Sequence, residues 1–326
     1  MITAKIVGTG SWLPKKTVTN ADLEKVLDTS DEWIVSRTGI RQRHVIGEQE
    51  TVSNMATYAA QRALSMAGIK AQDLDLIVVG TVTGDVEFPA VACLVQGNLG
   101  ASRAFAYDVR AVCSGFVFAL SNALAYHQCG RVKRSLVIGV DALTRTLDWT
   151  DRSVAILFGD GAGAAVLVSD EEEGRGVFST HLRSDGALWD LIYYPGEEGR
   201  HPCSGVKLEG GRFLRMCGNK TFKVAVSELA NITLEALAAN HMGIDEITWV
   251  IPHQANRRII DAVGKRLGMP AEKFLVNIDR VANTSAASIP IMLDEANRKQ
   301  KFASGDVLLL CAFGSGLAWG AALIRG

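Results

Sequence analysis

The chain has 326 residues, 48% of them hydrophobic, enough to fill one large core or two fused half-sized ones. Its 34 Lys and Arg offset 35 Asp and Glu to leave a net charge of −1, and aromatics make up only 7%. That balance excludes a global electrostatic footprint for nucleic acid and leaves any anionic partner to a local patch.

In chain order, the opening MITAKIVGTGSWLP reads as a short strand, since it lacks the charged and long apolar regions of a secretion signal. Apolar runs rich in Val, Ile and Leu follow at residues 76–79, 136–140, 166–168, 249–251 and 307–310, and read as strands buried on both faces. Periodic segments at 53–67, 115–126, 221–239 and 257–267 read as helices between them, an α/β alternation. Residues 171–215 are the least regular and are expected to form a connection plus a surface excursion. Nowhere is an apolar run long enough to span a bilayer, so a soluble protein is expected.

Three stretches recur in order. Residues 68–81 resemble 243–253; Arg110-Ala-Val-Cys113-Ser-Gly matches Arg280-Val-Ala-Asn283-Thr-Ser; Phe158-Gly-Asp-Gly161 is echoed by Phe313-Gly-Ser-Gly316. The pattern predicts two copies of one α/β unit, residues 1–175 and 176–326. It sets Cys113 and Asn283 at equivalent helix starts and His253 just past a strand end, where α/β folds collect chemistry.

Six cysteines, Cys93, Cys113, Cys129, Cys203, Cys217 and Cys311, form no C-x-x-C pair in a chain too large to need staples. They read as reduced cytoplasmic thiols, and no histidine lies at ligand spacing from a cysteine pair, so no metal is expected. Cys113 sits where a strand gives way to an apolar helix, whose dipole favours the reactive thiolate. A buried core cysteine is the alternative. His253 is equally readable as a surface or capping residue, and Asn283 as an N-cap. Glycine stretches at 8–10 and 159–163 do not lie between strand and helix, which argues against a nucleotide-binding oxidoreductase.

With Cys113, His253 and Asn283 in hand, the sequence resembles the β-ketoacyl-acyl-carrier-protein synthase III family. The motifs that carry the likeness are Asp31-Glu-Trp-Ile-Val-Ser-Arg-Thr-Gly-Ile40, Phe158-Gly-Asp-Gly-Ala-Gly-Ala164, Pro252-His-Gln-Ala-Asn256, Asn283-Thr-Ser-Ala-Ala-Ser288 and Phe313-Gly-Ser-Gly-Leu-Ala-Trp-Gly320. The resemblance implies a duplicated five-layer αβαβα thiolase-like fold, a homodimer, and joining of an acyl-coenzyme A primer to malonyl-acyl carrier protein without a cofactor. It also implies that Cys113 accepts the acyl group while His253 and Asn283 support decarboxylation. Trp33 and Arg152 match an adenine sandwich, Arg37 a phosphate contact, and Asn256 and Gly218 a pantetheine tunnel. Phe313 stands where degradative thiolases carry a second catalytic cysteine and counts among the substrate contacts. Phe88 matches an aromatic lent to the partner subunit's acyl pocket.

The oxyanion would sit on the backbone amides of Cys113 and Ser315. Many relatives carry Gly or Ala at that second position, so the Ser315 side chain is expected to narrow the acyl pocket. Lys223, Arg258, Lys265 and Arg266 are expected to form a basic rim for the acidic carrier protein. The same triad also serves enzymes of secondary metabolism, and the fold also serves partners that have lost the nucleophile.

Overall fold

The long apolar runs are strands because each has two buried faces, and the computed structural model shows what covers them. It describes residues 3–170, 174–196, 198–200, 204–208 and 211–326. The large sheet is built from β1 (Thr3–Trp12), β2 (Leu76–Gly80), β3 (Phe105–Val109), β4 (Arg134–Asp141), β5 (Gly161–Asp170), β6 (Gly176–Ser184), β7 (Trp249–Pro252), β8 (Val307–Gly314) and β9 (Ala318–Arg325). The helices of eight residues or more are α1 (Asp31–Thr38), α2 (Val52–Ala67), α3 (Val91–Leu99), α4 (Gly115–Gln128), α5 (Gly218–Ala239), α6 (Arg257–Leu267) and α7 (Ser288–Arg298).

Among the described residues the strands run β7-β8-β9-β6-β1-β5-β4-β2-β3. The order is a mirror. Outward from β1 lie β5, β4, β2 and β3; outward from β6 lie β9, β8 and β7, with an isolated parallel bridge between Val250 and Phe274 in the fifth place. The two copies meet where β1 pairs β6 at Ala4 and Val177.

Strand periodicity explains the layers. Leu76 and Val78 of β2 face one core with Phe116, Val117 and Leu120 of α4 and Ile289, Met292 and Leu293 of α7, whereas Ile77 and Val79 face a second core under α2 and α3. In the other copy, Leu308 and Leu310 of β8 join the same central core, while Leu309, Cys311 and Phe313 face a third under α5 and α6. Helices α4 and α7 are therefore sandwiched between the two half-sheets, giving five αβαβα layers. No helix among the described residues is long and apolar enough to cross a membrane.

The structure departs from the expectation at 171–215, where β6 occupies residues 176–184 inside the sheet. Its Ser179, Thr180 and His181 look like loop chemistry, but they are satisfied sideways. Thr180 Oγ1 lies 2.9 Å from Ser121 Oγ, Ser179 Oγ accepts from Asn240 at 2.8 Å, and His181 lies 3.4 Å from Glu235.

Candidate active site

Cys113 lies in a single helical turn, Val112–Ser114, that feeds directly into α4. The turn is entered through Val112 at φ 47°, a left-handed conformation uncommon for a β-branched residue. Cys113 is half-buried, and desolvation pushes its thiol up to about 12; the Ser285 hydroxyl opposes this and the Asp141 carboxylate adds to it. Burial therefore favours the protonated thiol at Cys113. The helix dipole works in the opposite direction, toward the thiolate.

Residues 283–288 connect Cys113 to His253. Ser285 Oγ donates to Cys113 Sγ at 3.5 Å, and Ser285 N donates to Asn283 Oδ1 at 2.9 Å. That bond fixes the amide orientation, leaving Asn283 Nδ2 without a partner among the described residues. Three residues on, Ser288 Oγ lies 2.7 Å from His253 Nδ1, and His253 N donates to the Cys311 carbonyl at 2.8 Å. His253 is buried, and desolvation lowers its pKa to about 3, so the ring is neutral and available as a hydrogen-bonding group. Asn283 is equally buried, held against the first copy because its backbone N donates to Leu157 O and its O accepts from Gly159 N, both at 3.0 Å.

Asp141, fully buried at the end of β4, takes bonds at Oδ1 from Thr81 Oγ1 (3.2 Å), Val82 N (2.9 Å) and Thr83 Oγ1 (2.9 Å), and at Oδ2 from Ala286 N (3.3 Å). It ties the 283–288 turn to β4. Desolvation raises its pKa against those bonds. Gly314 closes the site from β8: a Cβ there would lie 2.9 Å from Cys113 N and 3.0 Å from Cys113 Cβ.

Sequence reasoning gave no role to Asp141, Ser285, Ser288 or Gly314. An acid directly after the apolar run 136–140 was a signal for the first, and two serines in the motif that follows Asn283 a signal for the next two. Gly314 falls inside a glycine motif, but its requirement comes from a neighbour distant in sequence.

The expected outer contacts are distributed as follows. Trp33 on α1 is half-buried, with the guanidinium carbons of Arg152 and Arg37 at 5.2 and 5.8 Å from its ring centroid. Arg152 is held by Asp28, donating to its carbonyl at 2.6 Å. Asn256 caps α6 through Arg258 N (2.9 Å) and donates to Arg37 O (3.1 Å), so its amide ties the arginine segment to the helix. Gly218 opens α5, and a Cβ added there would meet nothing within 4 Å. Ser315 turns its hydroxyl onto Ile192 O at 2.5 Å. Phe313 is buried in the core beneath α5 and α6, 6.2 Å from Trp319 between ring centroids. Phe88 stands 85% exposed. Lys223, on α5, and Arg258, Lys265 and Arg266, on α6, are all exposed, and none forms a salt bridge among the described residues. Cys93, Cys113, Cys129, Cys217 and Cys311 are free; Cys203 lies outside the described residues, and Cys311 is a core thiol pushed up to about 12 by burial.

Two mirrored half-sheets around a buried helix pair, with a cysteine at one helix start, define a chain of the thiolase fold class. The family model described as 3-oxoacyl-[acyl-carrier-protein (ACP)] synthase III matches residues 107–186, and that of its C-terminal part matches 237–326. The chain is 50% identical over 324 residues to a beta-ketoacyl-[acyl-carrier-protein] synthase III of Xanthomonas campestris pv. campestris, covering 99% of this chain and 98% of that one. It is 51% identical over 321 residues to the protein so named in Escherichia coli (strain K12), covering 98% and 99%. The solved 3-oxoacyl-[acyl-carrier-protein] synthase III of Aquifex aeolicus VF5 superimposes with a TM-score of 0.92 at 44% identity, over 99% of this chain and all of that one. The chain belongs to the 3-oxoacyl-[acyl-carrier-protein] synthase III family.

Proposed function

We propose that the chain initiates fatty acid synthesis by condensing an acyl-coenzyme A primer with malonyl-acyl carrier protein, with Cys113 as nucleophile and His253 and Asn283 as the groups that stabilise the enolate. The observation that carries the residue assignment is the 283–288 turn. It contacts both Cys113 and His253 and leaves Asn283 Nδ2 and His253 Nε2 without partners among the described residues, next to a thiol with no strong base beside it.

In the first half-reaction the Cys113 sulfur attacks the primer thioester carbonyl, the C–S bond to coenzyme A breaks, and the proton lost by the Cys113 thiol is balanced by the one the departing coenzyme A thiolate takes up. The amides of Cys113 and Ser315 would receive the tetrahedral oxyanion. Malonyl-acyl carrier protein then loses carbon dioxide, and the electron pair of the breaking C–C bond becomes an enolate. Hydrogen bonds from the neutral His253 and from Asn283 to the thioester oxygen stabilise that charge, which suits a site where burial disfavours an imidazolium. The enolate carbon attacks the acyl-cysteine, and the thiolate leaves and is reprotonated.

Adenine would enter between Trp33 and Arg152, with Arg37 beside the phosphates and the open space at Gly218 along the pantetheine arm. The unpaired cations of α5 and α6 suit an acidic carrier protein. Phe88, with Phe105 44% exposed on the edge strand β3, supports pairing with a second copy. The halves 1–175 and 176–326 are read as the two copies, and the free thiols favour a reducing cytoplasm.

Intact-protein mass spectrometry after exposure to a panel of acyl-coenzyme A esters tests the reading. One acyl group is expected on Cys113 and none on Cys113→Ala. An adduct that persists in the variant, or maps to Cys93 or Cys311, removes the assignment.

A further inference from the structure

Ser288 is the first residue of α7 and is buried. Its Oγ lies 2.7 Å from His253 Nδ1 and 3.3 Å from the backbone N of Gln254. A backbone N–H only donates, so Gln254 occupies a lone pair of the hydroxyl. The single hydroxyl proton then has one acceptor within reach among the described residues, His253 Nδ1. Were Nδ1 protonated as well, the two hydrogens would compete for one line of contact and the hydroxyl proton would go unpaired, a loss of about 1–3 kcal/mol for a buried group.

The ring cannot escape by carrying a proton on both nitrogens, because desolvation holds it neutral. A neutral imidazole has one donor and one acceptor nitrogen, and the tautomer decides which of them faces the substrate. The Gln254 side chain keeps this loop in register, donating to Pro252 O at 2.8 Å and Leu275 O at 3.2 Å and accepting from Asn277 N at 3.2 Å.

We propose that Ser288 is a positioning residue that donates its hydroxyl proton to His253 Nδ1, locking the ring in the tautomer protonated at Nε2 so that an N–H, not a lone pair, meets the malonyl thioester oxygen. The inference rests on His253 serving the decarboxylation half-reaction. The opposite tautomer would set a lone pair against developing negative charge and make the same side chain an obstacle.

Nitrogen NMR on the full-length enzyme with 15N-labelled histidine, with His253 assigned by its absence in His253→Ala, reads the tautomer directly. The wild type is expected to show a pyridine-type Nδ1 and a pyrrole-type Nε2. Ser288→Ala is expected to mix the tautomers and slow carbon dioxide release on the order of tenfold, less than the hundredfold to thousandfold of losing a donor outright. Acylation of Cys113 should be unchanged, and Ser288→Thr, which keeps the hydroxyl, should restore both signals and rate. A pyrrole-type Nδ1 in the wild type, or an unaltered tautomer in Ser288→Ala, overturns the proposal and leaves the role of His253 standing. Normal decarboxylation by folded His253→Ala overturns that role instead.

Discussion

The two ends of the Asn283 side chain do different work, so two substitutions separate them. Oδ1 accepts the buried Ser285 N–H at 2.9 Å, while Nδ2 is the proposed donor to the enolate. Asn283→Ala removes both. An unpaired buried N–H costs about 1–3 kcal/mol of stability, and the missing donor slows decarboxylation by about a hundredfold to a thousandfold, or about 2.7–4 kcal/mol. Asn283→Asp keeps an acceptor for Ser285 and removes the amide donor, so the Ser285 N–H stays paired, at the cost of burying a carboxyl, while carbon dioxide release falls at least as far. Acyl-Cys113 formation should survive in both. Measuring adduct mass, carbon dioxide release and thermal unfolding on the same preparations decides between the roles. Wild-type release from folded Asn283→Asp would reduce Asn283 to a backbone cap, and normal release from Asn283→Ala would remove it from the chemistry altogether.

Gly314→Ala places a methyl group 2.9 Å from Cys113 N, where backbone must move, so acylation should slow at least tenfold alongside an overpacking cost of about 1–3 kcal/mol; unchanged acylation kinetics would contradict the packing. Reversing Arg258 and Lys265 to Glu should raise KM for malonyl-acyl carrier protein and spare transfer from acyl-coenzyme A, whereas equal damage to both half-reactions points to misfolding. His253 is depressed from 6.5 to about 3 on folding, so its neutral form is native and the unfolded chain binds the proton first. The stability it contributes is present above pH 6.5 and lost as pH falls toward 3. Acid unfolding of His253→Gln should therefore be shallower, with His127, lowered to about 4 by burial, still supplying part of the limb; an identical acid limb in wild type and variant would refute the depressed value.

The doubly buried strands were legible because covering both faces removes polar alternation: Leu76 to Val79 and Leu308 to Cys311 serve two cores each. β6 was hidden by the inverse effect, since its polar side chains find partners on α4 and α5 that only the assembled layers supply. Within the site, internal repetition and family motifs pointed to Cys113, His253 and Asn283, but not to the hydrogen bonds that orient them. Asn256 illustrates the limit: the sequence suggested a ligand contact, and the fold also uses its amide as the cap of α6 and the tie to Arg37. Phe313 was legible as the residue replacing a second cysteine, while its packing against Trp319 depends on the pairing of β8 with β9.

Cys113 belongs to one copy and His253 and Asn283 to the other, so the gap between them is gauged by whatever separates the layers. At that seam Gly115, backed by Gly80 of its own copy, meets Ala286. A Cβ on Gly115 would lie 3.1 Å from Gly80 Cα and 3.2 Å from Ala286 Cβ. These small residues act as a shim of zero thickness between the helix bearing Cys113 and the turn bearing Asn283. One added methyl group there would spread the jaws by a large share of the distance over which a hydrogen bond forms or fails. The site can thus be detuned from a position that touches neither substrate nor nucleophile, and the length of the reach from thiol to amide is machined by three side chains of one carbon or none.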